Sequence, residues 1–139
     1  MITIDDFAKV HIKIGTVLEA TKVPDADKLI QLIFDFGLLP EPQPTVEGEV
    51  PVQQEEITRL PELVEKYPGR DVRQIMSAIA PFFPDPQVLV GKQIAVVVNL
   101  EPRKFRGYVS QGMIMATDDE QGIVLLTPER KVTPGAKIH

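Results

Sequence analysis

Most of the chemistry this sequence can offer lies in one stretch, Asn99-Leu100-Glu101-Pro102-Arg103-Lys104-Phe105-Arg106-Gly107-Tyr108-Val109-Ser110-Gln111-Gly112-Met113. The apolar run Ile94-Ala95-Val96-Val97-Val98 leads into it and Pro102 opens a turn. Arg103, Lys104 and Arg106 then place three cations within four residues. Around them stand an amide (Asn99), a hydroxyl (Ser110), two aromatic rings (Phe105, Tyr108) and a thioether (Met113). Cations among flat apolar surfaces and hydrogen-bonding groups suit a phosphate backbone and an unpaired base better than bond-making chemistry.

Each of these residues also has a plainer role. Asn99 either caps a strand end or reads a base edge with its donor and acceptor atoms. Met113 is either core or an apolar platform for a base. Phe105 is either buried or a stacking surface. Lys28 follows Asp25 and Asp27, so its plain role is a surface ion pair of little energetic weight. Ser77 and Ser110 are the only serines, and a serine nucleophile needs a histidine base and an oxyanion hole. The two histidines, His11 and His139, sit on an expected strand and at the last position. The chain lacks cysteine, a G-x-x-x-x-G-K phosphate loop and calcium-loop spacing after Asp118-Asp119-Glu120. We therefore expect no catalytic step, no metal and no cofactor.

The elements that must position these residues are short. Thr3 is a candidate cap for an entry turn or helix at Asp5–Lys9. Val10–Lys22 alternates apolar and polar residues as a strand does, with Gly15 as the expected bulge or bend. Pro24-Asp25-Ala26-Asp27 reads as a turn and Leu29–Phe36 as a second strand. Arg73–Ala80, Gln93–Asn99, Met113–Thr117 and Ile123–Leu126 read as further strands, the Gln93–Asn99 strand buried on both faces. A helical turn is expected at Gln87–Val90, and the basic stretch itself reads as a loop. Five or six short strands separated by turn signals indicate a small antiparallel barrel.

Residues 37–71 differ in character. They hold six of the thirteen prolines and eight acids against three bases, which accounts for the whole formal charge of −5; the rest of the chain has twelve acids and twelve bases. A local basic patch elsewhere is therefore compatible with the acidic total. The segment reads as an insertion between two strands of a single domain spanning 1–139, with Pro40–Pro44 extended and a short helix at Pro61–Lys66. No apolar run is long enough to span a bilayer, and the N-terminus has no secretory signal, so a cytoplasmic protein is expected.

Six motifs occur in order: D-F-A-K-V-H-I-K-I-G-T-V in the N-terminal strand region, P-D-A-D-K-L (24–29), R-Q-I-M-S-A-I-A (73–80), L-V-G-K (89–92), N-L-E-P-R-K (99–104) and S-Q-G-M (110–113). Together they resemble the tRNA-binding domain family, which includes C-terminal domains of methionyl-tRNA synthetases and the free-standing CsaA-like proteins. The resemblance covers 5–36 and 73–139. It implies an all-β fold, an oligonucleotide/oligosaccharide-binding (OB) five-stranded barrel with short flanking helices and a C-terminal strand extension. The Pro/Glu-rich insertion interrupts that barrel. It also implies a homodimer that binds tRNA, or alternatively a protein-export chaperone binding unfolded or precursor polypeptides. The RNA-binding residues it implies are Lys28, Asn99, Arg103, Lys104, Ser110 and Met113, with Arg73 and Arg106 as additions. Two departures stand out: Ala78 where the family commonly has glycine, and the acidic insertion.

Overall fold

The computed structural model describes residues 1–40 and 59–139. The N-terminal helix α1 spans Ile4–Phe7 and is capped as expected: the Thr3 hydroxyl accepts from the Asp6 N–H while the Asp6 carboxylate accepts from the Thr3 N–H. Strands β1 (Ile12–Lys22) and β2 (Ile30–Leu38) follow, then helix α2 (Pro61–Lys66), β3 (Arg70–Ser77) and β4 (Gln93–Val97). Two single 3₁₀ turns, Ala80–Phe82 and Pro86–Leu89, bridge β3 to β4. The rest of the chain forms β5 (Arg103–Phe105), β6 (Tyr108–Ser110), β7 (Met113–Ile114), β8 (Ala116–Asp119) and β9 (Gly122–Leu125).

The main sheet is antiparallel with strand order β3-β2-β1-β4-β7, and it curls into an OB-type half-barrel, as the resemblance implied. Alternation decides which side is core. Val17, Ala20, Ile30, Leu32, Phe34, Ile75, Ile94 and Val96 point inward into one cluster, which Leu89 plugs from the second 3₁₀ turn. β4 is buried at all five positions, as its continuous apolar run predicted. Only the second half of β1 pairs with β2. Against its first half lies the C-terminal tail, through Gly135 N–H to Ile14 O (2.7 Å), Ile14 N–H to Ala136 O (2.9 Å) and Ile138 N–H to Ile12 O (2.9 Å). This is the expected strand extension.

Several boundaries differ from the sequence reading. β2 runs on to Leu38 and β3 begins at Arg70, so the connection between them is shorter at both ends than the 37–71 segment. β3 ends at Ser77, because Ala80 turns into a 3₁₀ helix. The expected strand at Met113–Thr117 is two strands, β7 and β8, split at Met115. The expected extended run beyond Pro40 lies outside the described residues.

Gly15 is not the bulge. The register of β1 against β2 shifts between Val17 and Glu19 instead. Gly15 serves close packing: a Cβ there would stand 2.7 Å from both Phe34 Cδ1 and Phe36 Cε1. These two rings stack with centroids 5.8 Å apart in the core, so neither can retreat without disturbing the other. Gly15→Ala is expected to lower the unfolding free energy by about 1–3 kcal/mol, read as a lower urea midpoint at unchanged slope.

Candidate nucleic-acid interface

The basic stretch is a hairpin rather than a loop. Arg103 pairs with Ser110, Lys104 with Val109 and Phe105 with Tyr108, so β5 and β6 are joined by only Arg106 and Gly107. Both turn residues have positive φ, 49° and 84°, the requirement of a type I′ turn whose twist matches that of the strands. The turn lifts Arg106 into solvent beside Lys104 and Arg103, all three exposed. The Arg103 guanidinium lies 5.2 Å from the Phe105 ring centre. Among the described residues no carboxylate pairs with any of the three.

The rings of the hairpin are half-buried. Phe105 and Tyr108 pack on Val23, Ala26 and Met76, so the hairpin and the Pro24–Asp27 turn share one apolar cluster. Lys28 is exposed at the end of that turn and precedes Leu29, which packs against the same cluster. Met113 is exposed at the pairing of β7 with the end of β4.

Three of the expected RNA-binding residues make hydrogen bonds within the fold, two of them buried. Arg73 is 5% exposed; its Nε and Nη2 donate to the Asp71 carboxylate (3.0 and 3.1 Å) and its Nη1 to the Val98 carbonyl. Its guanidinium also lies 5.4 Å from the Phe36 ring centre. Ser110 is buried, accepting from the Met76 N–H (3.0 Å) and donating to the Gly112 carbonyl (3.1 Å). Asn99 is exposed, but both ends of its amide are used: Oδ1 accepts from the His11 N–H and Nδ2 donates to the Lys9 carbonyl, each at 2.7 Å. The capping role of Asn99 is the one realised.

Ser110 and Gln111 close the barrel. Gln111 exchanges two hydrogen bonds with the backbone of Gln74, N–H to O at 2.8 Å and Oε1 from N–H at 3.0 Å. Gly112 must follow, since a Cβ there would come within 2.9 Å of the Val97 carbonyl. The S-Q-G-M motif is thus a seam that sets the hairpin over the outer face of β1-β2-β3.

That outer face was not singled out in the sequence. Glu19 and Thr21 of β1, Gln31 and Ile33 of β2, and Gln74 of β3 line it by simple alternation. α2 covers one end, with Leu63 buried against Ile33 and Val72. The hairpin bounds the other. Between them lies a groove of about 500 Å³. α2 is tied down by Glu19, which accepts from Lys66 Nζ (3.0 Å to each oxygen) and from the Tyr67 hydroxyl (2.7 Å). At the far side Arg70 holds the buried Asp35 in a two-point ion pair (3.0 and 2.8 Å), which raises the Arg70 pKa.

Comparison with known proteins places this architecture. A model of the family described as "Putative tRNA binding domain" matches residues 65–137. The chain belongs to the tRNA-binding domain family. Methionine–tRNA ligase of Thermotoga maritima is 40% identical over 137 residues, and that of Parabacteroides distasonis 37% identical over 138. In each case the match takes in 99% of this chain and 16% of the ligase, so the chain spans about one-sixth of those relatives. A methionyl-tRNA-synthetase-related protein from Pyrococcus horikoshii superposes at a TM-score of 0.69 with 31% identity, covering 100% of this chain and 98% of that one. The chaperone CsaA of Bacillus anthracis superposes at 0.68 with 26% identity, covering 100% and 99%. Among the described residues of this tRNA-binding domain no helix is long and apolar enough to cross a membrane.

The Glu19 node makes the α2 wall pH-dependent. Hydrogen bonds from Tyr67 and then Lys66 hold the Glu19 carboxyl below the usual carboxylate range. Its contribution is therefore present above that range and lost as pH falls through the lowered value. Burial first, and then the bond to Glu19, push the Tyr67 phenol up to about 12. Its contribution is present below the ordinary phenol value near 10 and lost as pH rises toward 12. Glu19→Gln is expected to bring the Tyr67 titration down toward the ordinary value, read by ultraviolet absorbance, and to cost about 1 kcal/mol of stability.

Proposed function

We propose that this domain is a non-catalytic tRNA-binding module that grips structured RNA through the basic hairpin and the outer sheet face. The observation carrying the proposal is the hairpin itself. Arg103 and Lys104 on β5 and Arg106 in the two-residue turn are exposed, with no carboxylate partner among the described residues. Unpaired, exposed cations on a seam-anchored element are available to phosphates without first breaking an internal pair. Lys28 and Met113 extend this surface, whereas Arg73, Ser110 and Asn99 act by building it. Family membership supports tRNA as the ligand.

The N-terminal segment supports a second proposal, a homodimer. α1 buries none of its own residues, and Ile2, Ile4, Phe7 and Val10 are all exposed. A capped helix that leaves its apolar side chains in solvent fits association with a second copy. Ile4→Asp with Phe7→Asp is expected to convert a dimer to a monomer in sedimentation equilibrium, with the far-ultraviolet dichroism unchanged.

One observation favours the polypeptide-binding alternative. A nearly apolar groove of about 400 Å³ runs beside the C-terminal tail, lined by Ile12, Ile14, Met115, Leu126, Val132 and Ile138. Such a surface holds exposed apolar segments of an unfolded chain with little dependence on salt. Phe82, a second candidate contact, is exposed, while Phe83 and Met115 are packed against the core clusters.

The deciding measurement is tRNA binding across a salt series. Three phosphate contacts from the hairpin predict that log K falls with log salt at a slope of about −2 to −3. Arg103→Glu with Lys104→Glu is expected to weaken binding at least about tenfold, with the urea midpoint unmoved because neither side chain is buried. Undiminished affinity in that variant refutes the hairpin as the grip. Salt-insensitive suppression of client aggregation with no tRNA binding turns the assignment to the polypeptide reading.

A further inference from the structure

The groove between α2 and the hairpin has a polar floor, apolar walls and one rim next to the hairpin cations. Resting on the RNA-binding reading, we propose that it receives a single unpaired nucleobase, and that Gln31 and Glu62 select bases displaying an amino group.

The floor is ordered by a relay of amides. Gln74 Nε2 donates to the Val109 carbonyl at 3.0 Å, which leaves Gln74 Oε1 to accept from Gln31 Nε2 at 2.7 Å. The carbonyl end of the relay fixes the orientation of both amides. Among the described residues Gln31 is therefore held with its Oε1 and one N–H uncommitted at the groove floor. A side-chain amide presenting an acceptor beside a donor can pair with a base edge that sets a donor beside an acceptor, uracil included, so Gln31 orients a base and the choice among bases needs a second acceptor.

The α2 wall adds a second acceptor. Glu62 lines the groove and has no cation partner among the described residues, because the neighbouring Lys66 is engaged by Glu19. Two acceptors, Gln31 Oε1 and the Glu62 carboxylate, match the two N–H bonds of an exocyclic amino group, whereas the uracil edge offers a single N3–H between two carbonyls and leaves one acceptor facing a carbonyl. Leu63 on α2 and Tyr108 on the hairpin supply apolar surface on opposite sides, as stacking a base requires. A volume of about 500 Å³ falls within the range of small-molecule sites.

The phosphates of such a nucleotide have a place to go. Val109 and Gly107 form the hairpin side of the groove. Lys104 is the cross-strand partner of Val109 and so shares its face of the hairpin. A base in the groove thus brings its own backbone to Lys104 and its neighbours.

The test titrates the whole chain into labelled single-stranded RNA hexamers of cytosine, adenine or uracil, with tRNA in parallel. The wild type is expected to bind the cytosine and adenine hexamers at least about tenfold more tightly than the uracil hexamer, the discrimination of one well-made base contact. Gln31→Leu with Glu62→Gln is expected to erase that preference while the uracil affinity and the salt slope stay as they were. In the wild type, the side-chain amide resonances of Gln31 and Gln74 are expected to shift on adding the cytosine hexamer and not the uracil hexamer, a readout that needs no variant to fold. Equal affinity for the three hexamers, a preference that survives the double variant, or unshifted amide resonances overturns the base pocket. With tRNA binding intact, any of these results leaves the RNA-binding module standing; absence of binding to tRNA and to every hexamer removes both.

Discussion

The half-barrel closes on side chains where a ladder would otherwise run, and the hairpin and the groove depend on that closure. β3 meets the chain after β6 through the Gln74–Gln111 exchange, the Ser110 hydroxyl on the Met76 N–H and the Gln74 amide on the Val109 carbonyl. A continuous ladder would press β6 flat along β3. One main-chain bond and three side-chain bonds instead fix the seam, and Gly112 then drops the chain to the level of Val97. The offset lets β5 and β6 rise as a separate two-stranded sheet over the outer face, with Phe105 and Tyr108 anchoring their base. Because the closing groups are buried and hydrogen-bonded, losing any one would strand a backbone N–H or an amide, a penalty that keeps the seam in one register.

The same economy separates cations that build from cations that bind. Arg73, Arg70 and Lys66 lie on or near β3 and α2, and each is matched to a carboxylate: Asp71, Asp35 and Glu19. Arg73 is the extreme case, a fully desolvated guanidinium acceptable only because Asp71 and the Val98 carbonyl take its donors and Phe36 covers its face. None of these three can neutralise a phosphate without abandoning a partner. Arg103, Lys104 and Arg106 have no such commitment among the described residues. An acidic chain can thus present a locally positive surface, because three cations without a carboxylate partner among the described residues cluster on one hairpin.

Much of this was legible in local sequence. Alternation located β1, richness in Leu, Ile and Phe located β2, the uninterrupted apolar run marked β4 as doubly buried, and Thr3 announced the cap of α1. The hairpin was not legible, because three-residue strands are too short to show a period and Arg106-Gly107 is not the usual Asn-Gly signal for a type I′ turn. The internal hydrogen bonds of Arg73, Ser110 and Asn99 were not legible for a different reason. Their partners, Val98, Met76 and Lys9, are distant in sequence, and a polar side chain gives no local sign of whether water or a remote carbonyl satisfies it. Gly15 likewise read as a bulge because its actual constraint, the Phe34–Phe36 pair, comes from the neighbouring strand. The outer-face polar residues Gln31 and Gln74 were visible as the outward half of an alternation, but alternation alone does not separate a solvated face from a lined groove.

The groove joins a rigid floor to a wall of lower intrinsic stability. Its floor is β1, β2 and β3 of the main sheet, with β1 and β2 paired on both sides. α2 has six residues, too few to hold helical structure in isolation, so its form is owed to docking. The docking rests on Leu63 against Ile33 and Val72, and on Glu19 gripping Lys66 and Tyr67. Elements attached by so few contacts open at free energies well below that of global unfolding. A ligand that touches both floor and wall gains affinity only in the docked state and so stabilises it. The Glu19 node then contributes to any ligand held in the groove without touching it, and protonating Glu19 weakens the wall while leaving the hairpin cations unchanged.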